Sequence, residues 1–134
     1  MQDSIFTKII KGEIPSHKIY EDEHIFAFLD IYPDEEGHTL VIPKIQVDKI
    51  YDLDDELYSH LWLVAKKIAR HYEEVTGFRI IFKVIGIDVP HAHIHVIPYN
   101  PANHPQHDQR TAGKKSVEPD HEHLAAVAAK LVLE

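Results

Sequence analysis

Leu57, Leu61, Val64, Ile68 and Tyr72 recur at spacings of three and four residues, which lays apolar side chains along one stripe of an α-helix. Asp54 stands where a cap would accept a first-turn N–H, and Gly77 stands just past the last apolar position, so the pattern predicts the main helix over residues 55–76. A stripe of that length has to be buried against something, and the rest of the chain offers mostly strands. Segments 18–21, 25–31 and 39–43 read as β, the first two joined through Asp22-Glu23 and the last two through Pro33-Asp34-Glu35-Glu36-Gly37. Loops this short predict an antiparallel meander, with the long helix lying across it. Segments 78–85 and 93–99 are rich in β-formers and are separated by Gly86-Ile87-Asp88-Val89-Pro90, which predicts a further hairpin. Ser4 is placed to cap a short helix through Lys11, with Phe6, Ile9 and Ile10 inside and Gly12 as its stop. A final helix over 119–132 follows from Pro119 in its first turn, acidic Asp120 and Glu122, and the apolar Leu124, Val127, Ala128 and Leu131. Strands with these helices define an α+β chain.

At 134 residues and 44% apolar composition, the chain is long enough for one domain with a true core and short for two. A single domain over 1–134 is expected, with residues 1–99 as its core and 100–134 as a loop plus helix. The stretch Pro105-Gln106-His107-Asp108-Gln109 is read as a polar surface loop, and the histidines of this region, His104 and His107, as solvated. Without cysteine there is no disulfide framework and no thiolate chemistry. Met1-Gln2-Asp3-Ser4 opens without a basic segment followed by an apolar one, so a cytoplasmic location is expected. The apolar runs 61–65 and 124–129 are far shorter than the roughly 20 residues that cross a bilayer, so no membrane association is expected. A net charge of −8 lacks the footprint of a general nucleic-acid binder, although a single nucleotide in a local pocket is compatible with it.

The run His91-Ala92-His93-Ile94-His95-Val96-Ile97-Pro98 sets three histidines two apart among β-formers, and a strand there would aim all three at one face. Inward strand positions usually carry aliphatic residues, each stabilising the fold by roughly 1.5–3 kcal/mol on burial, so packing alone does not account for this row. Three readings compete. The row is a solvated face of an edge strand; or it is a metal site, since His93 and His95 have a spacing that can reach one zinc ion; or an imidazole nitrogen is a nucleophile whose neighbours fix its tautomer. No third metal ligand is evident nearby.

His91 to Ile97 resembles the signature of the histidine-triad (HIT) nucleotide hydrolases and transferases, His-φ-His-φ-His-φ-φ with φ apolar. Upstream segments are similar to the same family in the same order: Ile5 to Ile10, Gly12-Glu13-Ile14-Pro15, Tyr20 to Glu23, Ala27 to Ile31, and Gly37 to Lys44. The match is nearest to the phosphoramidase-like branch. The resemblance implies a half-barrel sheet of five antiparallel strands, pairing with a second copy into a homodimer, and an activity at the α-phosphate of a purine nucleotide through a nucleotidyl-histidine. Nucleoside phosphoramidase is the leading expectation. Dinucleoside polyphosphate hydrolysis and a non-catalytic nucleotide-binding module are the alternatives.

By motif position the resemblance makes His93 the nucleophile, with its other ring nitrogen donating to the carbonyl of His91. It implies that His95 hydrogen-bonds the phosphate or leaving group, and that His38 supports His91 through a side-chain hydrogen bond. Asp30 matches the acid that accepts from the ribose hydroxyls, and Phe6, Ile9, Ile14, Phe28 and Ile31 match apolar walls around the base. Lys83 and Asp88 stand in or beside a phosphate loop that is shorter here than in many members. Some relatives carry a Cys-x-x-Cys zinc pair where this chain has Ser4 and Thr7, so neither a metal nor another cofactor is expected.

Overall fold

The computed structural model describes residues 2–104 and 118–133. The element order is α1 (Ile5–Ile10), β1 (Lys18–Glu21), β2 (Ile25–Leu29), β3 (Thr39–Pro43), α2 (Asp55–Thr76), β4 (Arg79–Lys83), β5 (Ile94–Tyr99) and α3 (His121–Leu131), with short 3-10 turns at Ile50–Asp52 and Pro101–Asn103. The strands form one five-stranded antiparallel sheet in the order β1-β2-β3-β5-β4. The α+β class and the five-stranded sheet are thus as expected, and among the described residues no helix is long and apolar enough to cross a membrane.

Helix α2 occupies the predicted residues because both of its ends are chemically marked. The Asp54 side chain accepts from the Leu57 N–H, and Gly77 closes the helix at φ +78° with its N–H donating to the Glu73 carbonyl. Its stripe of Leu61, Val64, Ile68 and Tyr72 packs against β3, β4 and β5. Helix α3 starts two residues later than expected. The Asp120 side chain accepts from the His123 N–H and so makes Asp120 the cap, leaving Pro119 outside the first turn. Residues 105–109 lie outside the described residues.

Strands β2 and β3 are buried along their whole length because both faces of the sheet are covered. Ile25, Ala27, Leu29, Val41, Ile94 and Val96 face the α2 and α3 side. Phe26, Phe28, Leu40 and Ile42 face the other way, where Phe6, Ile9 and Ile10 of α1 cover them. This second face also carries the site. At the β1 edge the strand is short and bulged between Lys18 and Tyr20, and the Ile19 carbonyl accepts from the Leu133 N–H. The β4 edge, by contrast, has no further strand beside it among the described residues.

Three strands are shorter than predicted. Strand β2 stops at Leu29 rather than residue 31, since the Asp30 side chain accepts from the Tyr32 N–H and turns the chain. Strands β4 and β5 pair only from Arg79↔Tyr99 to Lys83↔His95, so both hairpin arms are shorter than their β-forming composition suggests.

Candidate active site

The β5 ladder begins at Ile94, and this changes the geometry expected of the three histidines. His91 and His93 precede the strand and only His95 lies in it, yet the rings stay neighbours: Phe6 meets both His91 and His93, and His93 meets His95. His93 and His95 line a pocket of about 410 Å3, whereas His91 is fully buried outside it.

His91 is held at both ring nitrogens. Its Nε2 lies 2.8 Å from the Pro43 carbonyl, which can only accept, so Nε2 carries the hydrogen. Burial pushes His91 below the usual imidazole range, against an opposing contribution from the Pro43 hydrogen bond. In the neutral ring Nδ1 therefore accepts from the Ser4 hydroxyl at 2.8 Å. Ser4 Oγ in turn accepts the Thr7 N–H, while the Thr7 hydroxyl donates to Gln46 Oε1 at 2.8 Å. The same Gln46 oxygen accepts the Ser4 N–H at 2.7 Å. Sequence reasoning did not find Gln46, because its side chain meets α1 across 42 residues of sequence. Two hydroxyls and an amide oxygen joined in this way do not fit the thiolate zinc pair that some relatives carry at Ser4 and Thr7.

With His91 fixed, its carbonyl accepts the Nδ1–H of His93 at 2.7 Å. The lone pair of His93 is therefore on Nε2. Phe6 meets the His93 ring edge to face at a centroid distance of 5.1 Å, and His95 meets it at 5.0 Å. A neutral imidazole with its tautomer set by a main-chain acceptor can act as a nucleophile.

His38 corrects a further expectation. It contacts His95 rather than His91, with His38 Nε2 at 2.8 Å from His95 Nδ1. The β3–β5 register sets Leu40 opposite His95, which brings the start of β3 to the third histidine of the row. Asp30 Oδ2 lies 3.6 Å from His38 Nε2. By residue type Asp30, His38 and His95 could hold a divalent cation, as their ligand atoms all lie within 4.8 Å of one another. Ligand atoms around a tetrahedral zinc sit about 3.3 Å apart for bonds of about 2.0 Å. The 2.8 Å between the two imidazole nitrogens is that of a shared hydrogen instead.

The pocket walls contain Phe6, Ile9, Ile14, Phe28 and Ile31, the apolar residues expected there, together with Asp30 and Asp88. Leu40, Ile85, Ile87 and Val89 extend the apolar lining beyond what the sequence indicated. Lys83 is not part of the lining. Although its Cα pairs with that of His95, its ammonium lies 3.3 Å from Asp34 Oδ2. His104, expected to be solvated, contacts the buried Glu35 carboxylate and stacks on Tyr99 at 4.8 Å; His107 lies outside the described residues.

Comparison with known proteins agrees with this architecture. The HIT domain family is matched over residues 11–102. The chain is 42% identical to "Protein hit" of Bacillus subtilis over 109 residues, covering 72% of this chain and 71% of the relative. It is 41% identical to adenosine 5'-monophosphoramidase HNT1 of Saccharomyces cerevisiae over 97 residues, covering 70% of this chain and 61% of that protein. A crystal structure of a Hit-like protein from Bartonella henselae superposes with a TM-score of 0.77 at 32% identity, covering 96% of this chain and 94% of the other.

Proposed function

This chain belongs to the HIT domain family, and on that premise we propose that it hydrolyses purine nucleotides at the α-phosphate, as a nucleoside phosphoramidase. The single observation that carries this reading is the 2.7 Å contact from His93 Nδ1 to the His91 carbonyl, which leaves the Nε2 lone pair of His93 beside the pocket. The similarity to a relative named as an adenosine 5'-monophosphoramidase supports the choice of substrate class.

The step balances as follows. The His93 Nε2 lone pair forms a bond to the α-phosphorus, and the bond from phosphorus to the leaving group breaks with its electron pair. An amine leaving group takes its proton from solvent. Water then attacks the nucleotidyl-histidine and gives up a proton to solvent, the P–N bond breaks, and the lone pair returns to Nε2, giving a nucleoside monophosphate. His95 stabilises charge on the phosphoryl oxygens or leaving atom by hydrogen bonding. Asp30 accepts from the ribose hydroxyls, since a carboxylate suits two vicinal donors. Phe6, Ile9, Ile14, Phe28 and Ile31 enclose the base. Asp88, in the pocket lining, disfavours a polyanionic leaving group, which weighs against dinucleoside polyphosphates.

The test is an acid-free quench of a single turnover with a nucleotide labelled in the α-phosphate. Label bound to the chain within the first turnover, and absent from His93→Ala, is the expected outcome. No trapped label together with tight nucleotide binding assigns the chain to the non-catalytic alternative.

We also propose a homodimer formed through the β4 edge. Ile81, Phe82 and Val84 are each about two-fifths exposed there, and open strand edges with apolar side chains pair readily. Light scattering across a dilution series should give about twice the 15.5 kDa chain mass. A monomer mass throughout overturns it.

A further inference from the structure

We infer that the main-chain N–H of Asp34 fixes the tautomers of His38 and His95, and so makes His95 a hydrogen-bond donor through its Nε2. The inference deepens the hydrolase reading and, as far as catalysis is concerned, rests on it.

The Asp34 N–H donates to His38 Nδ1 at 3.0 Å. A peptide N–H has no acceptor capacity, so Nδ1 must present its lone pair, and the ring hydrogen of neutral His38 sits on Nε2. The cationic form of His38 would set its Nδ1–H against the Asp34 N–H, a cost opposed by the Asp30 carboxylate 3.6 Å from Nε2 and the Asp34 carboxylate 4.0 Å from Nδ1. Because His38 is almost fully buried, at 2% exposure, its ring cannot escape the arrangement by turning into solvent. Nε2–H then points to His95 Nδ1 at 2.8 Å, so that nitrogen accepts. The hydrogen of neutral His95 is thereby placed on Nε2.

The consequence is chemical. His93 has its lone pair on Nε2 because a carbonyl faces its Nδ1, and His95 has a hydrogen on Nε2 because an N–H donor faces its Nδ1. Two neighbouring rings of one residue type thus receive opposite roles, electron-pair donor and hydrogen-bond donor, from the main chain. Asp34 acts here as a positioning residue through its amide, while its carboxylate holds the Lys83 ammonium and lies 4.0 Å from His38 Nδ1.

The experiment is nitrogen NMR of the ring nitrogens of His38 and His95 in the substrate-free full chain, for the unmodified protein and for Asp34→Ala and Asp34→Pro. The first two retain the amide and should show Nε2–H on both rings. Asp34→Pro lacks the amide and should show mixed tautomers, with kcat for a nucleoside phosphoramidate reduced about 10-fold and KM changed less. Should Asp34→Pro fail to fold, the unmodified protein still decides. Nδ1–H on His38 in that protein overturns the inference, as does Asp34→Pro with tautomers unaltered. Since the tautomers are measured without substrate, an inactive protein with both rings Nε2–H refutes the hydrolase reading alone.

Discussion

His93→Ala is expected to lower kcat/KM for a nucleoside phosphoramidate by about 10,000-fold, because removing the covalent nucleophile forfeits the two-step route and leaves only binding and hydrogen bonding to the phosphate. The loss should be confined to chemistry. His93 contributes one hydrogen bond to a main-chain carbonyl and edge contacts with Phe6 and His95, so its removal should lower stability by only about 1–2 kcal/mol. Nucleotide release followed by chromatography, with circular dichroism as a check of folding, measures both. A variant that keeps its rate within about 10-fold of the parent would remove the nucleophile from the proposal.

Gly37→Val is expected to destabilise the chain by about 3 kcal/mol and to lower Tm by about 10 °C. Gly37 has φ +93°, a conformation that a β-branched residue adopts only with strain. A Cβ there would also meet Pro98 Cγ at 3.0 Å and Leu131 Cδ1 at 3.1 Å, which ties the turn before His38 to both β5 and α3. The position therefore matters twice, since any backbone shift that relieves the clash displaces the adjoining His38. Thermal denaturation gives the first effect. An unchanged Tm would show that Pro98 and Leu131 yield easily.

The elements with local chemical markers were legible in the sequence. Helix α2 follows from Asp54, Gly77 and the stripe between them, and α1 from Ser4 as its cap. The pocket residues Phe6, Ile9, Ile14, Phe28, Asp30 and Ile31 were identified by resemblance, and the fold brings them together. What the sequence did not show depends on contacts between distant segments. Spacing suggested three rings on one strand, but the ladder starts at Ile94, and His91 turns instead to Ser4 and Pro43. The partner of His38 is set by the register of β3 on β5, about which the local sequence around Gly37-His38-Thr39 is silent. Lys83 was placed beside the phosphate loop by resemblance, and it is Asp34, in the loop between β2 and β3, that takes its ammonium.

The bulge in β1 and the Ile19 carbonyl taken by Leu133 leave the two margins of the sheet unequal. A ribbon with one blunted margin can recruit a neighbour on the other margin alone. Under the proposed pairing through β4, association ends once two copies have met, and it cannot propagate into a filament.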